Sequence, residues 1–193
     1  REQVTPVTIF DEADIHAWDE GEDITIRLIK AIVAGCLCEP GVNAWYDREK
    51  MTYKIHDYVD LGIAVDTGDG LFVPVLRNVV ERDAADLRKG LDLLRRDVKN
   101  RSLPQSELKG NTITLSNFGM IAGTFATPII TPPRVCIIGA GSIGEKVILE
   151  NGKVKAHRII PLSVTIDHQV LTGGEAARFI NAVKKSLEKT HLS

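Results

Sequence analysis

The segment from Asp60 to Leu76 constrains the fold more than any other part of the sequence. Apolar residues alternate at Leu61, Ile63 and Val65, the turn residues Thr-Gly-Asp-Gly follow, and a second apolar run returns to Leu76. Alternation with a period of two is typical of a strand, and Gly and Asp suit a tight turn. The segment therefore predicts a β-hairpin.

Three other segments have the spacing of amphipathic helices. Residues 24–39 end at Pro40-Gly41, residues 84–101 combine an apolar face with a charged, solvated one, and residues 174–189 close the chain. The apolar stripes are formed by Leu28, Ile29, Ile32, Val33 and Leu37 in the first helix and by Leu87, Leu91, Leu94 and Val98 in the second.

Short apolar and β-branched runs predict further strands. These cover residues 4–10, 111–115, 134–138 and 162–166. A second hairpin is expected from residues 147–149 and 154–160, with its turn at Asn151-Gly152, whereas the acidic stretch 11–23 is expected to be an exposed connection. Because hairpins are mixed with helices, the order favours an α+β sandwich over alternating βα units.

Composition limits the classes of protein to consider. The 193 residues are 44% hydrophobic, which suits one globular domain over residues 1–193. The net charge is −2 with cations spread among acids, unlike the basic patch of a nucleic-acid binder, so no nucleic-acid partner is expected. The sequence also lacks an apolar run of the roughly 18 residues that a membrane span needs.

The three cysteines are interpreted as structural. An odd number cannot pair completely within the chain, and Cys36 and Cys38 lie two apart in a helical pattern, so they point to different sides. Cys136 lies in an apolar run and is expected in the core. This usage favours a reducing compartment.

A glycine motif between Gly139 and Gly144 matches G-x-G-x-x-G. In a dinucleotide-binding fold a helix begins there and its N-terminus meets the pyrophosphate. The following residues, 145–152, instead have the pattern of a strand and turn. We therefore expect the glycines to let the backbone bend or approach a neighbour closely, and a dinucleotide-binding oxidoreductase is a remote alternative.

Among five histidines, His168 has the setting of a reactive residue. It ends an apolar strand, follows Asp167 and precedes Thr172-Gly173-Gly174 at the start of a helix, where rigid frameworks often present functional side chains. From this setting alone, a catalytic and a structural role are equally balanced. The other four, His16, His56, His157 and His191, are interpreted as structural or exposed, and no pair has the short helical spacing of a metal site.

Ser116 stands where a strand enters a loop of small residues that continues to Thr124. A serine there can be a nucleophile, an oxyanion donor or a turn residue. No G-x-S-x-G elbow surrounds it, which argues against a hydrolase nucleophile. On local pattern alone, the turn residue is favoured.

Several segments resemble one family, the dihydrolipoyl acyltransferases that form the core of 2-oxo acid dehydrogenase complexes. Residues 166–179, Ile-Asp-His-Gln-Val-Leu-Thr-Gly-Gly-Glu-Ala-Ala-Arg-Phe, resemble its D-H-R-x-x-D/N-G signature. Residues 61–75 are similar to its central hairpin, 113–119 to its serine loop, 127–133 to the continuation of that loop, and 10–15 to its early strand. The resemblance implies the chloramphenicol acetyltransferase-like fold, a two-layer α+β sandwich of mixed β-sheet and helices.

The same resemblance implies acyl transfer between dihydrolipoamide and coenzyme A without an acyl-enzyme. His168 would be the general base for the attacking thiol, and Ser116 would donate a hydrogen bond to the oxyanion of the tetrahedral intermediate. Thr172 would help to orient the site. Coenzyme A and the lipoyl group are expected as substrates, with no metal, and the substrate-lining residues implied are Asn117, Phe118, Gly119 and Thr127.

The family also implies an assembly. A homotrimer would place His168 of one chain opposite Ser116 of the next, and trimers would build a larger symmetric core. Expected partners are the decarboxylating dehydrogenase and the dihydrolipoyl dehydrogenase, in the bacterial cytoplasm or the mitochondrial matrix. The lipoyl and subunit-binding domains would precede this N-terminally short domain. Residues 10–15 look more like acetyl-transferring members, with branched-chain acyl and succinyl transfer as alternatives.

Two positions beside His168 depart from the family pattern. Gln169 stands where the family usually has Arg, and Thr172 where it usually has Asp or Asn. A carboxylate at position 172 would anchor an arginine near the histidine, whereas Thr172 can make only a neutral hydrogen bond. A catalytically weak scaffold domain of the same complex is therefore the second hypothesis.

Overall fold

A mixed β-sheet with helices packed on one face forms the framework of the protein. The computed structural model describes residues 4–68 and 70–191, so Asp69 of the predicted hairpin turn lies outside the described residues. The helices are α1 (Ile24–Cys38), α2 (Ala84–Lys99) and α3 (Gly173–Leu187). The strands are β1 (Pro6–Asp14), β2 (Ala44–Asp47), β3 (Thr52–Ile55), β4 (Leu61–Ile63), β5 (Val65–Asp66), β6 (Leu71–Phe72), β7 (Val75–Leu76), β8 (Ile113–Asn117), β9 (Cys136–Ala140), β10 (Gly144–Glu150) and β11 (Lys153–Asp167).

The main sheet has the strand order β1-β11-β9-β8-β4-β7, and β10 pairs with the first half of β11. Strands β4, β8 and β9 run parallel, and the remaining pairs of this sheet are antiparallel. The expected α+β class with a mixed sheet is therefore confirmed. The predicted hairpin over residues 60–76 is also confirmed, in two steps: β4 pairs with β7, and β5 pairs with β6 at the tip.

The core lies between the sheet and the helices. Alternate residues of β8, β9 and β11, such as Leu115, Ile138 and Val164, are fully buried in it. Helix α1 crosses α3 closely because Gly35 has no side chain: a Cβ there would lie 2.6 Å from the ring of Phe179. Such close packing fixes the position of α3 and of the strand end that precedes it.

The second face of the sheet is rich in hydroxyl groups. Thr8 and Thr165 share a hydrogen bond of 2.8 Å between their hydroxyls, and the Ser163 hydroxyl accepts from the backbone N–H of Ala126 at 3.2 Å. By strand alternation Ser116 points to this face. The long connection after β8 covers the face, since Ala126 belongs to that connection.

Strand β11 corrects one expectation. Residues 162–166 were expected as a separate strand, but β11 runs without a break from Lys153 to Asp167 through Pro161. Pro161 has no backbone N–H to donate. It is tolerated because the side of β11 that this N–H would face has no paired strand there: residues 141–143, between β9 and β10, do not pair with β11. Its carbonyl accepts from Gly141 N–H at 2.9 Å, so the ladder is bridged there.

The start of the acidic stretch is not the exposed connection that was expected. Strand β1 continues through Asp14, which pairs with Ile159 of β11. Acidic side chains are accommodated because basic groups face them: Asp11 contacts Lys184 at 3.0 Å, and Asp14 contacts His157 at 2.6 Å. The apolar residue between them, Ala13, is fully buried.

The helices begin and end close to their expected residues, with one error in α1. Leu37 was placed in the apolar stripe but is 67% exposed, and Gly35 and Cys36 are buried instead. Cys136 is buried as predicted. Burial raises the pKa of Cys36 to about 12 and that of Cys136 well above its usual range, so neither thiol is poised to ionise.

Hairpin β2–β3 was not predicted, although its strands are rich in aromatic and β-branched residues. Through residues 4–68 and 70–191, no helix combines the length and apolar character that crossing a bilayer requires.

The buried His56 makes stability depend on pH. Its ring lies 4.6 Å from that of Trp45 and 5.2 Å from that of Tyr58 between centroids, and it is only 5% exposed. Burial, assisted by the charge of Lys54, lowers the pKa of His56. The unfolded chain therefore binds a proton more readily than the folded one.

We expect the stability from this site to be complete above about pH 6.5 and to fall as pH decreases below it, by at most about 1.4 kcal/mol per pH unit. His56→Phe keeps an aromatic ring but cannot titrate. Urea unfolding at pH 7.5 and pH 5.5 should show a larger loss for wild type than for the variant. Equal losses would contradict this account.

Candidate active site

His168 lies immediately after β11, on an exposed turn that leads into α3. Its backbone N–H donates to the carbonyl of Thr5 at 2.8 Å, which extends the β1–β11 ladder by one position. In the described chain, no hydrogen bond to its imidazole is found. The backbone is therefore fixed, and the ring is free to meet another molecule.

Asp167 holds this turn in place. Its side chain is 3% exposed, and its Oδ1 accepts from the backbone N–H groups of Thr5 at 3.0 Å and Gln169 at 3.2 Å. Its carbonyl accepts from Leu171 N–H at 3.0 Å. A buried carboxylate satisfied by backbone donors is a rigid anchor, a role that was not predicted for Asp167 from the sequence.

Thr172 is the N-cap of α3. Its hydroxyl accepts from Glu175 N–H at 3.3 Å and donates to the Glu175 carboxylate at 2.7 Å, and that carboxylate also accepts from Thr172 N–H at 2.7 Å. These bonds form a capping box, and they lower the pKa of Glu175, the backbone bond more than the hydroxyl bond. The hydroxyl is thus engaged at the helix start, and an orienting role toward His168 stays a prediction.

Gln169 is contacted from the unpredicted hairpin. Arg48, in the turn between β2 and β3, donates a hydrogen bond from Nη2 to the Gln169 side-chain carbonyl. An arginine is therefore present beside the motif, although it comes from another part of the chain and meets an amide rather than a carboxylate. The hairpin that carries Arg48 is indicated in the sequence by two β-forming runs on either side of residues 48–51.

Ser116 is half-buried near the end of β8, with Asn117 as the last residue of the strand. The expected strand at residues 111–115 is thus shifted by two residues, and Ser116 is held by a ladder rather than by a loop. It lines a cavity of about 630 Å³ that also includes Ala64, Phe72 and Thr114. A hydroxyl fixed by a strand beside a cavity can serve as a hydrogen-bond donor to a bound group.

The loop after Ser116 is locked by two glycines that have no room for a side chain. A Cβ on Gly119 would overlap the carbonyl of Gly141, and a Cβ on Gly141 would overlap the carbonyl of Thr124. Ser142 completes the lock: its hydroxyl donates to Gly119 O at 2.9 Å, and its N–H donates to Gly123 O at 2.8 Å. The glycine motif therefore permits close backbone approach, as predicted.

The motif does not begin a dinucleotide-binding helix, because strand β10 starts at Gly144. The other expected lining residues are placed as follows. Asn117 and Gly119 line a second cavity of about 460 Å³, Phe118 packs over Gly139, and Thr127 is exposed on the covering connection.

His168 and Ser116 are far apart within one chain. Ser116 is in register with Gly139, and Gly139 is in register with Ser163, which lies five residues before His168 on β11. With a rise of about 3.4 Å per residue and about 4.8 Å between strands, the two Cα atoms are separated by roughly 20 Å. One chain cannot apply both side chains to the same reacting atom.

The remaining histidines are structural or exposed: His56 and His157 are buried, whereas His16 and His191 are exposed. His157 is buried, contacts Asp14, and stacks on His16 with ring centroids 4.3 Å apart. Burial alone would raise the pKa of Asp14, but hydrogen bonds from His157 and from the N–H of His16 lower it. Within the described residues, no group of three or more His, Cys, Asp or Glu side chains could hold a metal ion.

Comparison with known proteins agrees with the family resemblance of the sequence motifs. The sequence model of the family described as "2-oxoacid dehydrogenases acyltransferase (catalytic domain)" matches residues 16–193. The dihydrolipoyllysine-residue succinyltransferase component of the Azotobacter vinelandii 2-oxoglutarate dehydrogenase complex is 36% identical over 160 residues. That match covers 83% of this chain, and the chain spans 40% of the length of this relative.

Solved structures have the same fold. The cubic core of a pyruvate dehydrogenase multienzyme complex matches with a TM-score of 0.88 and 30% identity over 97% of this chain and 83% of that one. The same values hold for an Azotobacter vinelandii dihydrolipoamide acetyltransferase, studied for the role of a serine, a histidine and an asparagine in its catalytic mechanism. A chloramphenicol acetyltransferase matches in fold alone, with a TM-score of 0.64 and 15% identity over 96% of this chain and 89% of that one, which confirms the expected fold class.

The glycine lock yields a test with a matched control. Gly141→Ala forces a methyl group into the Thr124 carbonyl and should cost about 3 kcal/mol or more, the upper part of the usual range for overpacking. Gly144→Ala meets nothing within 4 Å and should change stability by less than about 0.5 kcal/mol.

Urea unfolding measures both effects, and hydrogen exchange at residues 118–124 should be faster in Gly141→Ala alone. Equal stability of the two variants would contradict the lock.

Proposed function

The chain belongs to the 2-oxoacid dehydrogenase acyltransferase family, as its catalytic domain, and we propose that it transfers an acyl group between a dihydrolipoyl group and coenzyme A. The chain spans about two fifths of the length of the curated relatives it matches first, so the activity of the whole protein is part of this proposal.

One observation carries the assignment of residues. Ser116 and His168 are 52 positions apart, and the serine and histidine studied in the Azotobacter vinelandii acetyltransferase have the same separation. The asparagine of that protein follows its histidine by four positions, where this chain has Thr172. The agreement in spacing supports equivalent roles for Ser116 and His168.

His168 is the general base of the proposed reaction. It takes the proton of the coenzyme A thiol as the sulfur attacks the thioester carbonyl of acyl-dihydrolipoamide, and a carbon–sulfur bond forms. The tetrahedral intermediate then collapses, its bond to the lipoyl sulfur breaks, and that sulfur receives the proton from His168. An imidazole ordinarily titrates near pH 6.5 and a thiol near pH 8.5, which suits this exchange.

Ser116 stabilises the intermediate. Its hydroxyl donates a hydrogen bond to the oxygen that becomes negatively charged when the thiolate adds to the carbonyl. Because that charge exists only in and near the transition state, the hydrogen bond accelerates the reaction rather than only tightening binding. The strand and glycine lock around Ser116 keep this donor in position.

The proposed site needs two chains. Since His168 and Ser116 are roughly 20 Å apart within one chain by strand register, a site that uses both is completed across a subunit boundary. A homotrimer satisfies this by using each chain once as base and once as oxyanion donor. The likeness to a cubic multienzyme core supports further assembly of the trimers.

Partners and acyl group are proposed on the same basis. Relatives act as acetyltransferase components of pyruvate dehydrogenase complexes and as succinyltransferase components of 2-oxoglutarate dehydrogenase complexes. We propose acetyl as the group carried, with decarboxylating and dihydrolipoyl dehydrogenases as partners in the cytoplasm or the mitochondrial matrix. Gln169 and Thr172 favour the second candidate, a scaffold domain with weak activity.

The assay is transfer from acetyl-, isobutyryl- and succinyl-CoA to dihydrolipoamide. Removal of one oxyanion donor should lower kcat by about 10²–10³ in Ser116→Ala, and loss of a general base should lower it by about 10²–10⁴ in His168→Ala. His191→Ala, at an exposed position, is the control and should match wild type.

Absence of transfer by wild type from all three donors would favour the scaffold candidate. A His168→Ala rate within about threefold of wild type would remove His168 from the mechanism.

A further inference from the structure

Two cavities adjoin α2 on the side of the loop that follows Ser116, and Arg95 lines both. The first, of about 460 Å³, is also lined by Arg88, Asn117 and Gly119. The second, of about 390 Å³, lies between the β5–β6 hairpin and the end of α2. Arg95 therefore stands at the boundary between the two spaces.

Arg95 lacks the acidic partner that its neighbours have. Arg88 contacts Asp23 at 3.2 Å, and Arg96 contacts Asp97 at 3.2 Å. Arg95 is half-buried, and within residues 4–68 and 70–191 it has no hydrogen bond or ion pair. A guanidinium carries five N–H donors and is always charged, so the donors of Arg95 are available to an anion that enters either cavity.

Arg88 adds unused donors to the first cavity. Its Nε and Nη2 atoms are buried without a hydrogen-bond acceptor among the described residues, and its Nε lies 3.8 Å from Asp92, too far for a hydrogen bond. Among the residues that the structure describes, cations outnumber anions in the lining of the two cavities. The cations are Arg88, Arg95, Lys99 and Arg101, and the anions are Asp23 and Asp66.

The spacing of the cations suits more than one phosphate group. Arg88 and Arg95 are seven residues apart on α2, which is two helical turns or about 10 Å along one face, and Lys99 follows about 6 Å further on. Guanidinium groups bind phosphate oxygens through paired N–H donors. The second cavity adjoins the Ser116 cavity, since Phe72 lines both.

We propose that Arg95, with Arg88 beside it, binds the phosphate groups of a ligand held in these two cavities. The phosphates belong either to coenzyme A or to free phosphate. The first of these sources rests on the proposed acyl transfer. In the first case Arg95 is a binding residue that sets the affinity for the nucleotide end of the thioester. It takes no part in the bond changes at the thioester carbon.

The test compares Arg95→Ala with wild type on two thioester donors, acetyl-CoA and S-acetylpantetheine, with dihydrolipoamide as acceptor. S-acetylpantetheine carries no phosphate. Loss of a charge-assisted hydrogen bond should raise KM for acetyl-CoA by about 10–100-fold, with kcat nearly constant. KM for S-acetylpantetheine should stay within about twofold.

Arg96→Ala is the matched control, since Arg96 is exposed on the same helix and paired with Asp97, and it should match wild type on both donors. Arg95→Lys keeps the charge but loses the planar fork, so its KM for acetyl-CoA should lie between those of wild type and Arg95→Ala. Thermal unfolding checks that each variant is folded.

Calorimetric titration of coenzyme A and of inorganic phosphate into wild type and Arg95→Ala measures binding affinity without requiring turnover. It decides the proposal even if wild type transfers no acyl group. Weaker binding of phosphate alone by Arg95→Ala supports the site with free phosphate as the source. Unchanged titrations with unchanged KM, no binding by wild type, or an equal rise of KM for both donors would overturn the proposal.

Discussion

Backbone pairing along β11 connects the structural elements of the candidate site. One side of this strand pairs with all nine residues of β1, and the other side pairs first with β10 and then with β9. Its last residue, Asp167, fixes the turn that carries His168, and its pairing with β9 sets the register of Ser116 on β8. Both proposed catalytic groups are therefore positioned relative to one strand.

The same strand explains why the glycine motif has its composition. Strands β10 and β9 pair with successive parts of β11, and the pairing is interrupted between them at residues 141–143. The interruption lies opposite Pro161, which has no backbone N–H to donate. The interruption leaves room for the loop after Ser116 to approach the backbone of Gly141. A motif that resembles a dinucleotide fingerprint thus holds the loop that follows Ser116, the proposed oxyanion donor.

Local sequence patterns were sufficient for most of the elements, whereas the catalytic roles proposed for Ser116 and His168 came from the resemblance to a family. The hairpin at residues 60–76 and the three helices follow from short-range periodicity, which tertiary contacts reinforced. Long-range pairing accounts for the errors in the extents of β1 and β11. Strand β1 extends to Asp14, and β11 passes through Pro161, because partners distant in the sequence satisfy these residues.

The environment of the site was harder to predict than its position. The approach of Arg48 to Gln169 depends on the unpredicted hairpin β2–β3. The capping box of Thr172 and Glu175 corresponds to a T-x-x-E pattern in the sequence, which marks the start of a helix but does not indicate a role toward His168. The distance between Ser116 and His168 could be estimated only once the register of the sheet was known.

The central claim is that one active site takes its base and its oxyanion donor from different chains. The direct measurement mixes His168→Ala with Ser116→Ala protein by joint refolding and assays acyl transfer, with differently tagged chains to verify exchange. In random cyclic assemblies about a quarter of the sites combine an intact His168 with an intact Ser116, so activity should rise to about a quarter of wild type. Mixed assemblies no more active than either variant alone would contradict the shared site.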